Sequence, residues 1–258
     1  MRALALTIGH LSFGLAAYLG ELGLFFLEVC RTMFGSKLLV GETVRQIHFI
    51  GAKSLPLITV AAAAVGVVLG MQTVGVLSRF GIETYVAIIV GQAMVRELGP
   101  VVTALMVAGR AGAGISAELG SMRVTRQIDA LQVSAINPIR YLVVCRVVAC
   151  MLVLPLLTAV ADVVGMTGGL VVGASLADIP PSYYVSMTVR YIGVDDILPG
   201  LLKTIVFGLI IGIVACYQGF STKGGTEGVG ISATRAVVAS SLGILLSDVL
   251  LTRILLLV

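Results

Sequence analysis

Along its hydrophobic and polar positions, this chain of 258 residues alternates long uncharged stretches with short charged ones. The clearest runs from Ser54 to Ser78, between Lys53 and Arg79. Wound as a helix rising 1.5 Å per residue, it passes the ~30 Å hydrocarbon core of a bilayer. Four more, mostly apolar, lie at about 84–117, 147–176, 200–220 and 236–258; span two is interrupted by Arg96 and Glu97, span three by Asp162, and span five contains Asp248 and Arg253. The pattern predicts an all-α integral membrane protein, with five transmembrane helices in residues 54–258 and a separate N-terminal region over 1–53.

That N-terminal region carries its own periodicity. His10, Glu21, Glu28 and Arg31 fall on one stripe at helical spacing, and Leu11, Leu15, Leu19, Leu22 and Phe26 on another. An amphipathic helix of this kind suits the membrane interface. A sixth span is the alternative. A cleaved signal peptide fits poorly, because Glu21 interrupts the apolar region and no small-x-small cleavage site follows.

Composition agrees with lipid as the solvent: 58% of residues are hydrophobic and 12% charged, where soluble domains are about a quarter charged. The net charge of +4 matters through its distribution. Before span one, between spans two and three, and between spans four and five lie 12 basic residues; the other connections and their flanks hold Arg79, Arg190, Lys203 and Arg253. By the positive-inside rule the N-terminus is expected in the cytoplasm and the C-terminus outside. The dispersed basic residues and the absence of Trp argue against nucleic acid. Cys30, Cys145, Cys150 and Cys216 form no C-x-x-C pair and read as small buried hydrophobes. No H-E-x-x-H, G-x-S-x-G or phosphate-loop motif occurs, so neither metal-dependent proteolysis nor ATP hydrolysis is expected of this chain.

The candidate chemistry lies in span two. Arg96 and Glu97 stand about 18 Å along the helix from Thr84, near the expected middle of the membrane, where charges are costly and either pair or face a polar cavity. Gly99-Pro100 follows, and the proline predicts a kink. Two readings stay open: a structural pair between helices, or contact with a charged or zwitterionic head group. The inner half of the span (Ala104, Ala108, Gly109, Ala111 to Gly114) predicts close helix packing. On span one Leu69, Thr73, Val76, Leu77 and Phe80 share a face, either a lipid-facing or core surface or an acyl-chain groove. Asp162, Asp248, Lys203 and Arg253 are expected to pair with each other or with Arg96, with Asp248 near mid-membrane and Lys203 near the outer end of span four. Residues 121–134 predict a short amphipathic helix on the cytoplasmic face, stopped at Asn137-Pro138 and suited either to docking a partner or to lying on the surface. Five helices line a thin passage, so a homodimer with its pathway near the two-fold axis is expected.

Arg96-Glu97-Leu98-Gly99-Pro100, Ala108-Gly109-Arg110, the run from Ala117 to Thr125, Gln127 to Leu131, Asn137 to Arg140, Glu227 to Gly230 and Ala233-Thr234-Arg235 together resemble the MlaE-type permease family. The resemblance covers nearly the whole chain and is densest over 96–140. It implies an inner-membrane subunit of an ABC transporter that moves phospholipid between inner and outer membranes and so maintains outer-membrane lipid asymmetry. It implies a homodimer and a cytoplasmic ATPase subunit that binds ATP and Mg. A STAS-domain protein on that ATPase and an MCE-domain hexamer on the outer side are also implied. Carried over to matching positions, the lipid cavity includes Arg96, Glu97 and Leu98, with Leu69, Val76, Leu77 and Phe80 around the acyl chains and Lys203 toward the phosphate. Phe80 stands where some relatives are expected to have an aromatic hydroxyl, which it cannot supply. Glu118, Gly120, Met122, Arg123, Gln127 and Asp129 are the coupling candidates toward the ATPase. The competing reading is an ion-coupled carrier using Asp162, Asp248 and Glu97. An intramembrane enzyme is disfavoured, since the spans hold no histidine.

Overall fold

A computed structural model describes residues 2–35 and 39–255, with side chains from residue 16 onward. Among these residues every regular element is helical. They are α1 (Arg2–Gly35), α2 (Val40–Leu77), α3 (Glu83–Val124), α4 (Gln127–Val133), α5 (Ile139–Leu176), α6 (Pro181–Tyr191), α7 (Val194–Phe220) and α8 (Gly225–Leu255). Five of them, α2, α3, α5, α7 and α8, are long and apolar enough to cross a membrane. The chain is an all-α, multi-pass integral membrane protein.

The helices overrun the apolar stretches that announced them. A charge ends an uncharged run but not a helix, because Arg, Glu, Gln and Lys are good helix formers. Residues 40–53, expected in the N-terminal region, therefore belong to the same helix as span one. Likewise α8 begins at Gly225 and not near 236. The expected 121–134 helix is broken. α3 continues to Val124, Arg126 adopts a left-handed conformation (φ 59°), and α4 starts at Gln127. The Asn137 side chain accepts the backbone N–H groups of Ile139 (2.9 Å) and Arg140 (3.3 Å), so Asn137-Pro138 opens α5 as well as stopping the connector.

α5 is the central helix, packed against α2 on one side and α7 on the other, while α3 crosses both. α8 packs on α7 and α3 at the edge and is the least covered of the five spans. Close approach occurs at α5 more than in the small-residue half of α3. A Cβ on Gly66 of α2 would meet the Gly165 carbonyl oxygen of α5 at 2.0 Å, whereas one on Gly109 would meet nothing within 4 Å. Ala104, Ala108 and Ala111 are nonetheless fully buried. The central helix has neighbours on every side, so backbone contact is demanded there first.

α1 packs against the start of α5 and the end of α7, at the basic end of the bundle. Its inward residues are Leu22, Phe25, Phe26, Val29 and Met33. The Tyr217 hydroxyl donates to Glu21 (2.6 Å), and Gln218 donates to the Tyr18 hydroxyl (3.0 Å). Glu21 thus has a protein partner, and Leu19 is exposed, which rotates the packed face from the expected stripe. The side chains of His10, Leu11 and Leu15 lie outside the described residues.

Candidate functional site

The site begins with a proline. Pro100 has no N–H to give the carbonyl of Arg96, and α3 widens into a π-helical turn over Met94–Leu98. The Gly99 N–H bonds back to the Met94 carbonyl. The orphaned Arg96 carbonyl is met by the Lys203 ammonium of α7 at 3.2 Å. Lys203, only 3% exposed, also donates to Glu97 (2.8 Å) and Thr252 (2.6 Å) and lies 3.2 Å from Asp248. An ammonium has three protons. In this arrangement Lys203, itself on α7, spends them inside the protein on groups of two other helices, α3 and α8, and has none spare for a phosphate.

Arg96 is arranged differently. Its Nε (2.7 Å) and Nη2 both bond Asp196, and its side chain remains half exposed. Asp196 also accepts the Gly193 N–H at 3.2 Å, so one carboxylate caps α7 and orients the guanidinium. Among the described residues Nη1 of Arg96 has no hydrogen-bond or ion-pair partner, and neither has the carboxylate of exposed Asp195 on the same cavity wall. Arg96, Glu97, Asp195, Pro199, Lys203, Thr252 and Leu255 line a cavity of about 210 Å³. That volume holds about seven waters, the scale of a head group and not of two acyl chains. A free cationic edge and a free carboxylate on one wall suit a zwitterion.

These contacts correct the expected pairing for Arg96 and Asp162 and match it for Asp248 and Lys203. Arg96 pairs with Asp196, which sequence had left in the outer connection, and Asp248 pairs with Lys203. Among the described residues Asp162 makes no ion pair; it is buried against Gly99, and its Oδ1 has no hydrogen-bond partner. Asp248 also shifts. Counted from Gly225 it lies about 35 Å along α8, toward the Leu255 end and away from the middle. The whole cluster therefore gathers near the end opposite the basic one.

The span-one stripe divides. Leu69 and Leu77 pack in an apolar cluster with Val86, Val90, Val172 and Tyr184, and Leu98 joins that cluster from α3. Val76 (56% exposed) and Phe80 (72% exposed) face outward. None of Leu69, Val76, Leu77, Phe80 or Leu98 lines the Arg96 cavity. Leu98 follows Glu97 directly, and successive helix positions point about 100° apart.

The coupling candidates split in the same way. Glu118 pairs with Arg146 (2.9 Å), whose side chain is 2% exposed, so this carboxylate serves the interior. A Cβ on Gly120 would meet the Thr222 hydroxyl at 2.8 Å, which makes Gly120 a packing position. Met122 leans on the main core, as do Ile128 and Leu131 of α4. Arg123 bonds Asp129 (2.7 Å) across the break at Arg126 and ties the two helices together. Gln127 and Val133 are exposed and form the outward surface of α4.

Comparison with known proteins gives this geometry a lineage. The family model described as Permease MlaE matches residues 43–254. The chain belongs to the MlaE permease family. It is 40% identical over 251 residues to a probable ABC transporter permease protein of Rickettsia bellii, covering 97% of each chain. It is 35% identical over 212 residues, 82% of this chain and 81% of the other, to the intermembrane phospholipid transport system permease protein MlaE of Haemophilus influenzae. To the chloroplastic protein Trigalactosyldiacylglycerol 1 of Arabidopsis thaliana it is 37% identical over 82% of this chain and 60% of that one.

In this MlaE-family permease, sequence reading found Arg96, Glu97 and Lys203 but missed Asp196, Asp195 and Thr252. Asp196 had a usable signal. It stands three residues after Gly193 at the start of a helix, the N3 position from which a carboxylate caps a helix. Thr252 had none, since a threonine in an apolar span has no periodic mark.

Proposed function

We propose that this permease carries phospholipid between the inner and outer membranes of a bacterial envelope and so maintains outer-membrane lipid asymmetry. The cavity of about 210 Å³ with a free Arg96 edge and a free Asp195 carboxylate carries this reading. The phosphate of a zwitterionic lipid meets Arg96, and its amine meets Asp195 or Glu97. Lys203 positions Glu97 and caps the carbonyl freed by Pro100, so it shapes the site from behind. The name of the Haemophilus relative supports lipid as the cargo.

The energy comes from a cytoplasmic ATPase subunit, which binds ATP and Mg and rests on the outward surface of α4. A STAS-domain protein accompanies that ATPase, and an MCE-domain hexamer continues the path outside. The N-terminus faces the cytoplasm and the C-terminus the periplasm of a Gram-negative inner membrane, as the basic residues indicate. A second copy of the chain covers the bare face of α8, where Leu242, Leu246, Val249 and Leu250 are exposed, and closes the open side of the cavity. ATP-driven movement of α4 shifts α3, and lipid moves because its affinity differs between the two states.

The test is lipid transfer between vesicles by the reconstituted complex. Arg96→Ala and Glu97→Ala should lower transfer far more than they lower co-purification of the subunits. Normal transfer by both variants refutes the cavity assignment.

A further inference from the structure

A second pocket, of about 370 Å³, opens at the basic end, away from the Arg96 cavity. It lies between α2 (Arg45, His48, Phe49, Lys53) and α3 (Gly114, Glu118). Most of its charges are already balanced. Arg45 pairs with Glu42 at 3.0 Å, and Glu118 with Arg146 at 2.9 Å. Two cations have no carboxylate partner among the described residues: Lys53, which lines the pocket, and Arg110, which does not line it but lies against the same Phe49 ring. Lys53 Nζ lies 4.6 Å from the centre of the Phe49 ring, and the Arg110 guanidinium 5.6 Å from the same centre. Arg110 donates from Nη1 to the Ser54 hydroxyl (2.8 Å) and the Phe49 carbonyl (3.4 Å), and to no carboxylate. Two like charges beside one ring, each without a counter-charge, repel in a partly desolvated place. An anion held at Lys53 lowers that cost.

Depth selects the anion. Lys53 is the last charge before the uncharged run Ser54–Ser78, and Arg110 is the first after Leu98–Gly109. Both stand where the apolar lengths of α2 and α3 end, the level of lipid phosphates in a bilayer. Arg45 and His48 lie one to two turns further out. Phe49 offers an apolar wall on the membrane side of the cations.

We propose that this pocket holds the phosphate of one anionic phospholipid from the leaflet at the basic end, gripped by Lys53 beside Phe49, with Arg110 adding positive charge at the same ring. The site is separate from the Arg96 cavity and does not depend on what that cavity transports.

The test uses the intact complex in nanodiscs of phosphatidylcholine with a small fraction of phosphatidylglycerol, read by native mass spectrometry. The wild type should retain about one phosphatidylglycerol per permease chain in preference to phosphatidylcholine. Lys53→Gln, a change at an exposed side chain, should weaken retention about fivefold, the worth of one surface cation toward anionic lipid. Lys53→Arg should restore it. Arg79→Gln removes the same charge at the opposite end and should change nothing. Excess inorganic phosphate should not displace the lipid. The proposal is overturned if the wild type shows no preference, or if Lys53→Gln and Arg79→Gln act alike. It is equally overturned if phosphate alone displaces the lipid, or if Lys53→Gln releases the ATPase subunit with lipid retention unchanged.

Discussion

Gly200 of α7 lies under the cavity, and a methyl group there tests the geometry directly. A Cβ at this position would sit 2.1 Å from the Val95 carbonyl oxygen, in the π-helical turn of α3, and 3.5 Å from the Pro100 ring. The obstacle is backbone, which has no rotamer to retreat into. Restoring an ordinary contact of 3.4 Å moves α7 away from α3 by about 1.3 Å. Lys203 stands one turn further along α7. If it follows rigidly, its 2.8 Å bond to Glu97 opens to about 4 Å, beyond hydrogen-bonding range. Overpacking of this kind costs about 1–3 kcal/mol. Gly109→Ala is the matched control, because its Cβ would meet nothing within 4 Å. That variant gains helix propensity, up to about 1 kcal/mol. Thermal unfolding of the purified permease should therefore show Gly200→Ala several °C below wild type and Gly109→Ala at or above it. Lipid transfer should fall with Gly200→Ala alone. Equal stability and equal transfer in the two variants would refute the close α3–α7 contact and the role given to Lys203.

Three further outcomes follow from the same contacts. Glu118→Gln strips the buried Arg146 of its only carboxylate among the described residues; with Glu118 itself 45% exposed, the loss should be roughly 1–2 kcal/mol, read as a lower unfolding temperature. Asp162→Asn should keep both fold and ATP-driven transfer, since Asp162 makes no ion pair among the described residues; loss of transfer would favour an ion-coupled carrier instead. Tyr184→Phe on α6 should unfold at or above the wild-type temperature, because among the described residues the buried hydroxyl has no hydrogen-bond partner to lose. Burial pushes that phenol up to about 12, so it stays neutral through the neutral pH range and the variant should show no altered pH dependence there.

The number and kind of the elements were legible in the chain itself. Five predominantly apolar stretches of bilayer length, separated by more polar connections, leave little choice but five helices, because an unpaired backbone is too costly in lipid. The segregation of basic residues to one end was legible for the same reason: it is a sum over the sequence and needs no contacts. Arg96, Glu97 and Lys203 stood out because charge in an apolar span is expensive and therefore conspicuous.

What the tertiary structure decided is who meets whom. Arg96 and Asp196 are 100 positions apart, and Glu97 and Lys203 are 106; no spacing rule links such pairs. Their meeting depends on how far each helix runs past its apolar stretch, and a four-residue error there already turns a side chain one turn up the bundle. The stripe Leu69–Phe80 shows the same limit. Periodicity placed these residues on one face, but only packing against Val172 and Tyr184 separated buried Leu77 from exposed Val76 and Phe80. Hydropathy is a property of one helix at a time and fixes what lies in the membrane. Pairing is a property of several helices at once, and the shape of the cavity belongs to it.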